Sequence, residues 1–87
     1  MASGWATQAF SREFDAVLMR LPASIRRLVE EKITEMGSRL ASFPHYRMTG
    51  RREFRLRLGD YRVIYDFDAA KNEIYLITLG NRREIYR

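Results

Sequence analysis

The first half of the chain repeats its apolar residues with the period of an α-helix. One stripe at the spacing i, i+3, i+4 and i+7 contains Phe14, Val17, Leu18 and Leu21. Ser11 precedes this stripe as an N-cap, and Pro22 ends the helix because proline cannot continue it. A second helix is predicted from Ala23 to Leu40, with Ser24 capping its first turn, so the two helices are expected to form an antiparallel hairpin.

The segments around the helical hairpin differ in pattern. Trp5–Phe10 partly alternates apolar and polar residues and is too short for an independent helix, so it is predicted as an edge strand. The apolar face of the second helix consists of Ile25, Leu28, Val29, Ile33, Met36 and Leu40. Ala41–Gly50 shows no sustained period and is predicted as a surface connection.

The second half of the chain alternates with the period of a β-strand. From Arg52 onwards, apolar residues point one way at Phe54, Leu56 and Leu58, and charged residues point the other way at Glu53, Arg55 and Arg57. Gly59-Asp60 separates this run from Tyr61–Phe67, which indicates a two-residue type II′ hairpin. Such a turn pairs Leu58 with Tyr61 and Arg57 with Arg62, and it puts both guanidinium groups on one face.

A further strand is predicted at Glu73–Leu79, after a turn at Asp68–Asn72, and Gly80-Asn81 breaks its pattern. The predicted fold class is α+β, with an N-terminal edge strand, an α-helical hairpin and an antiparallel three-strand meander, the helices packing on one sheet face. Because 87 residues do not divide their core, residues 1–87 are predicted as a single domain.

Charge and composition narrow the function classes. The net charge is +5 and 14 of the 16 basic residues are arginine, which favours an anionic partner, although GC-rich codons would also enrich arginine. The lack of cysteine excludes disulfides, and with a single histidine it excludes common zinc sites, so no metal or cofactor is expected. That histidine, His45, is expected at the surface. No apolar run or leader pattern indicates a membrane or secretion, so a cytoplasmic location is expected.

The residues that carry candidate chemistry are arginines and one tyrosine. The sequence contains no P-loop, no nucleophile elbow and no paired carboxylates at catalytic spacing. Opposed guanidinium groups at Arg57 and Arg62 cost roughly 0.2–1 kcal/mol, which a bound phosphate, or a carboxylate such as Glu53 or Asp66, would offset. Tyr86 fits either a docked ring or a general base whose phenolate the arginines stabilise.

The order of these motifs resembles a known family. A helical hairpin is followed by FRLRLGDYRVIYDFD and, at the C-terminus, by ITLGNRREIYR. The combination is similar to the RelE/ParE superfamily of bacterial type II toxin–antitoxin toxins, and specifically to its RelE branch. The resemblance covers nearly the whole chain and implies a ribosome-dependent endoribonuclease that cleaves messenger RNA in the A site and inhibits translation.

The resemblance also implies roles for individual residues in an in-line attack of a 2′-hydroxyl on the adjacent phosphate. Arg55 and Arg57 would bind phosphate and favour the phenolate of Tyr86, which would be the general base. Arg62 would stabilise charge on the transferring phosphoryl group, and Arg82 would support the phosphate or the leaving 5′-oxygen. Further RNA-binding residues are predicted at Arg51, Arg52, Arg83 and Arg87.

Two departures from the family pattern affect proton transfer. The RelE prototype has lysines where this chain has Arg55 and Arg57, and arginine stays protonated. Relatives often have histidine where this chain has Asn81. The alternatives are a ParE-like inhibitor of DNA gyrase with the same fold and a catalytically silent antitoxin-binding module. In each case the expected partner is a cognate antitoxin whose acidic segment folds on binding, giving a toxin–antitoxin hetero-oligomer, beside the ribosome and messenger RNA for the nuclease.

Overall fold

The computed structural model describes residues 4–81, which form two helices and one five-stranded mixed sheet. In chain order the elements are β1 (Thr7–Phe10), α1 (Arg12–Arg20), α2 (Ala23–Ser38), β2 (Tyr46–Arg47), β3 (Phe54–Leu58), β4 (Tyr61–Asp68) and β5 (Glu73–Asn81). The α+β class, the helical hairpin and the meander are therefore confirmed. Neither helix in this part of the chain is long and apolar enough to cross a membrane.

The strands lie in the order β1-β5-β4-β3-β2. β1 joins the sheet as predicted and pairs in parallel with β5, whereas the other neighbours are antiparallel. The hairpin register is confirmed, because Leu58 pairs with Tyr61 and Arg57 pairs with Arg62. Gly59 has φ +62, the positive value that the first position of such a tight turn requires.

The sequence predicted the segment 41–50 as a surface connection only, but the segment also contains a short strand. Tyr46 and Arg47 form β2 and pair with Arg55 and Phe54 at the outer edge of β3. A two-residue strand is too short to show a period, so the sequence pattern could not reveal it. The backbone N–H of Met48 then donates to the carbonyl of Glu53 at 3.0 Å, which closes the loop between β2 and β3.

Several element ends differ from the predictions, among them those of α2 and β5. α2 stops at Ser38 rather than Leu40, and its N-cap is Pro22, with no side-chain cap from Ser24 or any other residue. β5 continues through the predicted break to Asn81, because Gly80 pairs with Arg62 and extends the ladder. A glycine in a strand pattern weakens the prediction of a strand, but pairing with a neighbouring strand outweighs that local preference.

The predicted N-cap of α1 is confirmed and also links the helix to the sheet. Phe14 N–H donates to Ser11 Oγ at 3.0 Å, and Ser11 Oγ–H donates to the carbonyl of Ile77 in β5 at 2.6 Å. β1 pairs with β5 only up to Leu76, and α1 lies beside the part of β5 that follows. The cap therefore positions α1 where the sheet edge would otherwise lack a neighbour.

The core lies between the helices and one face of the sheet. Its fully buried residues include Phe14, Val29, Ile33, Met36, Val63, Tyr65, Ile74 and Leu76. Leu28, predicted on the apolar face of the second helix, is 43% exposed, so that prediction is wrong. Phe54, Leu56 and Leu58 point into the core as predicted, which leaves the arginines of β3 on the opposite, open face.

Candidate anion-binding site

Three of the predicted arginines come together on the open face of the sheet. Arg55 and Arg57 are exposed and lie two residues apart on β3, and Arg62 lies opposite Arg57 on β4. The next residue across the sheet from Arg62 is Gly80 of β5, which has no side chain to fill the space beside the guanidinium group. The strand register thus assembles a cationic cluster from two strands.

A groove of about 520 Å³ runs along the outer edge of β3 at this cluster. β2 pairs only with Phe54 and Arg55, and among residues 4–81 no strand covers β3 from Leu56 to Leu58. The lining residues are Lys32, Phe43, Pro44, Tyr46, Arg55, Leu56, Arg57 and Arg62. Four of these eight side chains are cationic, which makes the groove suited to an anion.

Arg62 differs from the other two arginines because its side chain is buried, with only 4% of its surface exposed. Its Nη1 donates to the carbonyl oxygens of Gly59 and Tyr61, both at 3.2 Å. Its Nε is buried without a hydrogen-bond partner, and no described carboxylate forms an ion pair with it. A buried cation without a counter-charge is costly, and a phosphate oxygen would relieve that cost.

The two carboxylates that the sequence offered as neighbours of the cluster, Glu53 and Asp66, have contacts of their own. Glu53 lies 3.9 Å from the Nε of Arg51, and Asp66 accepts a hydrogen bond from the backbone N–H of Phe67 at 2.8 Å. Neither contact reaches Arg62. Among the described residues, these two carboxylates therefore leave the charge of Arg62 without a counter-ion.

Two further predicted site residues, Arg51 and Arg52, lie outside this cluster. Arg51 and Arg52 are exposed in the segment before β3, where the carbonyl of Arg52 accepts a hydrogen bond from Arg47 at 3.3 Å. Four further residues lie outside the described residues: Arg82, Arg83, Tyr86 and Arg87. The last described residue, Asn81, pairs with Tyr61, one position along the strands from the Arg62–Gly80 pair.

His45 is only partly exposed and packs against the core, whereas the sequence predicted a surface residue. Its ring stacks on Phe67 with centroids 3.9 Å apart, its Nε2 lies 2.7 Å from the carbonyl of Leu40, and its Nδ1 lies 2.6 Å from the hydroxyl of Tyr65. A carbonyl only accepts, so Nε2 carries the proton and Nδ1 accepts from Tyr65. Burial raises the pKa of Tyr65, which keeps its phenol in the donating form. His45 joins the loop to the core.

Tyr46 is a groove residue that the sequence pattern did not indicate. It pairs directly with Arg55, so the two side chains share the open face of the sheet, and 64% of its surface is exposed. Basic residues lie near Tyr46 in the sequence and could have indicated an anion-binding segment. Only the pairing of β2 with β3, however, brings the tyrosine ring beside the arginines. Among residues 4–81, no group of histidines and carboxylates could hold a metal ion.

Comparison with protein families agrees with the fold and the motifs. A family model described as the ParE toxin of type II toxin–antitoxin systems, parDE, matches residues 9–86. The chain belongs to this family. It is therefore a type II toxin–antitoxin toxin of the RelE/ParE fold. No curated protein sequence matches the chain.

Several solved toxin structures share the fold. The toxin–antitoxin complex RelBE from Mycobacterium tuberculosis matches with a TM-score of 0.76 and 19% identity, covering 93% of this chain and 95% of that chain. An archaeal RelE–RelB complex from Pyrococcus horikoshii matches with a TM-score of 0.72 and 24% identity, covering 88% of this chain and 94% of that chain. The intact RelBE complex of E. coli matches with a TM-score of 0.70 and 17% identity, covering 87% of this chain and 95% of that chain. At sequence identities of 17–24%, this structural similarity shows that the chain shares the fold of these toxins.

Proposed function

We propose that this toxin is an endoribonuclease that cleaves messenger RNA in the ribosomal A site and so inhibits translation in the cytoplasm. The observation that carries the proposal is the buried guanidinium group of Arg62, whose Nε lacks an acceptor in a groove shared with Arg55 and Arg57. A site that keeps an unpaired cation in the wall of a cationic groove is suited to a phosphodiester.

The proposed reaction needs no metal. The 2′-oxygen of one nucleotide attacks the adjacent phosphorus, the bond from phosphorus to the 5′-oxygen breaks, and the products are a 2′,3′-cyclic phosphate and a 5′-hydroxyl end. Arg62 stabilises the charge that develops on the phosphoryl oxygens, and Arg55 and Arg57 hold the flanking phosphates. Arginine does not shuttle protons, so Tyr86 takes the proton of the 2′-hydroxyl, and Arg82 supports the leaving oxygen.

A second candidate is inhibition of DNA gyrase, because the matching family model is that of the ParE toxin. The fold is common to both activities and does not distinguish them. The arginine cluster favours the nuclease, since the resemblance to RelE rests on those basic positions together with the terminal tyrosine.

The proposed protein partner is a cognate antitoxin, because the matching RelE structures from three organisms were solved as toxin–antitoxin complexes. A net charge of +5 favours an acidic segment in that partner. Expression of the toxin with the protein encoded beside it, followed by co-purification, tests this partnership. Recovery of the toxin alone would contradict it.

Primer extension on a reporter message in a reconstituted translation system tests the activity. The wild type is compared with Arg62→Ala and Tyr86→Phe, and with Arg27→Met, which removes one exposed positive charge from α2 outside the groove. Cleavage only when ribosomes are present, lost in the first two variants and kept in the third, is expected. An intact message at toxin concentrations that arrest growth would overturn the proposal, and gyrase supercoiling would then be assayed.

A further inference from the structure

We infer that Tyr46 is a stacking platform for a base of the bound RNA, next to a phosphate held by Arg55. The inference deepens the proposed nuclease function and rests on it. It assigns a base contact to β2, a strand that the sequence did not reveal, and it separates the groove into a part that binds a base and a part that binds the backbone.

The position of Tyr46 follows from the sheet register. Directly paired residues of antiparallel strands have Cβ atoms about 5 Å apart, so the ring of Tyr46 lies beside the Arg55 side chain on the open face. Arg57 follows two residues later, about 7 Å along β3, a spacing comparable with that of neighbouring phosphates in an extended strand. Ring and arginines line one groove.

The packing of Tyr46 gives no structural reason for an aromatic ring. Tyr65 is fully buried and donates to His45, and Tyr75 donates to Glu73, whereas Tyr46 is 64% exposed and its hydroxyl has no partner among the described residues. The other residue of β2, Arg47, turns to the opposite face and lies 4.7 Å from the centroid of Phe54. The ring of Tyr46 therefore projects from the edge strand into the groove.

The chemistry matches recognition of single-stranded RNA. Proteins that bind single strands combine a positively charged groove for the backbone with aromatic side chains on which bases stack, and each stacked base contributes about 1–3 kcal/mol. A tyrosine ring stacks on any base, so Tyr46 is expected to add affinity and to position the strand for cleavage rather than to select one nucleotide.

The test uses a single-stranded RNA with 2′-O-methyl groups at every position, which lacks the attacking hydroxyl and stays intact. Its dissociation constant is measured by fluorescence anisotropy at several salt concentrations for the wild type, Tyr46→Leu, Tyr46→Phe and Arg55→Gln. Tyr46→Leu is expected to weaken binding roughly 5- to 150-fold, and Tyr46→Phe to bind like the wild type.

Salt dependence separates stacking from charge. Removing Arg55 should lower the slope of log affinity against log salt by about 0.7, the value for one phosphate contact on a single strand. Tyr46→Leu should leave that slope unchanged. An oligonucleotide with abasic sites at every position should bind the wild type and Tyr46→Leu equally, because it has no base to stack.

Phe10→Leu is the matched control, since Phe10 is 45% exposed at the opposite edge of the sheet and should leave RNA binding unchanged. An effect of Tyr46→Leu below twofold, or one that persists on the abasic strand, would overturn the inference while leaving the nuclease proposal intact. Weaker binding of the antitoxin with unchanged RNA binding would also overturn it. A wild type that does not bind the 2′-O-methyl strand would overturn the inference, and one that also leaves the message intact in the presence of ribosomes would refute the nuclease proposal as well.

Discussion

The substitution Arg62→Met isolates the feature that carries the proposed function. Methionine has a similar length and no charge, so it fills the same buried space on β4 without a cation. We expect the variant to lose phosphate affinity while its free energy of unfolding stays within about 2 kcal/mol of the wild type. Loss of function without loss of stability would identify Arg62 as a ligand-binding residue.

The magnitude follows from the contacts of Arg62. The variant loses two hydrogen bonds of 3.2 Å to backbone carbonyls, which contribute roughly 0.5–1.5 kcal/mol each. It also removes a buried Nε without an acceptor, whose desolvation costs about 1–3 kcal/mol. These contributions nearly cancel. The lost charged contact to phosphate amounts to about 1.5–3 kcal/mol, so the RNA affinity should fall roughly 10- to 100-fold.

Thermal unfolding with and without the 2′-O-methyl oligonucleotide measures both quantities. At a concentration of 100 times Kd, the ligand should raise the wild-type Tm by roughly 10–20 °C, and the same concentration should raise the Tm of Arg62→Met much less. Arg27→Met should respond like the wild type. A loss of more than about 3 kcal/mol in the free variant, or an unchanged response to RNA, would refute the reasoning.

Two further predictions concern the fold. Tyr65→Phe leaves His45 Nδ1 without its donor and should cost about 1–3 kcal/mol in urea unfolding. Because burial raises the pKa of Tyr65, the tyrosine's contribution to the free energy of unfolding is complete below the unfolded pKa near 10 and is lost as pH rises above it. The stability of Tyr65→Phe should therefore decline less steeply at alkaline pH than that of the wild type. An equal decline in both proteins would contradict this. Gly37→Ala should stabilise the protein by about 0.5–1 kcal/mol, because alanine has a higher helix propensity than glycine. The added Cβ would lie 3.5 Å from its nearest neighbour, the backbone nitrogen of Ala6, which is an ordinary contact distance. A lower urea midpoint than that of the wild type would contradict this.

Periodicity and turn chemistry predicted the parts of the fold that are encoded locally. The Ser11 cap, the helical hairpin and the pairing of Arg57 with Arg62 were all predicted and are present in the structure. A two-residue turn leaves only one register for a hairpin, because a shift by one residue would expose the whole apolar face. The approach of the arginines on β3 and β4 therefore follows from strand alternation and the length of the turn.

Two features of the site depend on contacts between separate parts of the chain. The sequence pattern assigned Tyr46 to a connection, and only its pairing with Arg55 makes it a groove residue. The pattern also predicted His45 at the surface, but its ring stacks on Phe67 and accepts a hydrogen bond from Tyr65. These partners lie on other strands, so a local pattern carries no sign of the contacts.

The amino-acid sequence by itself determined the class of fold, the open face on which the arginines lie and the positive charge of that face. These follow from strand alternation and composition, which depend on neighbouring residues alone. The tertiary structure decided that Arg62 is buried with a free Nε while Arg57 stays exposed, although the two are direct partners. The difference arises because Arg62, on the inner strand β4, folds back onto the turn carbonyls of Gly59 and Tyr61, whereas Arg57 stands at the open edge of β3.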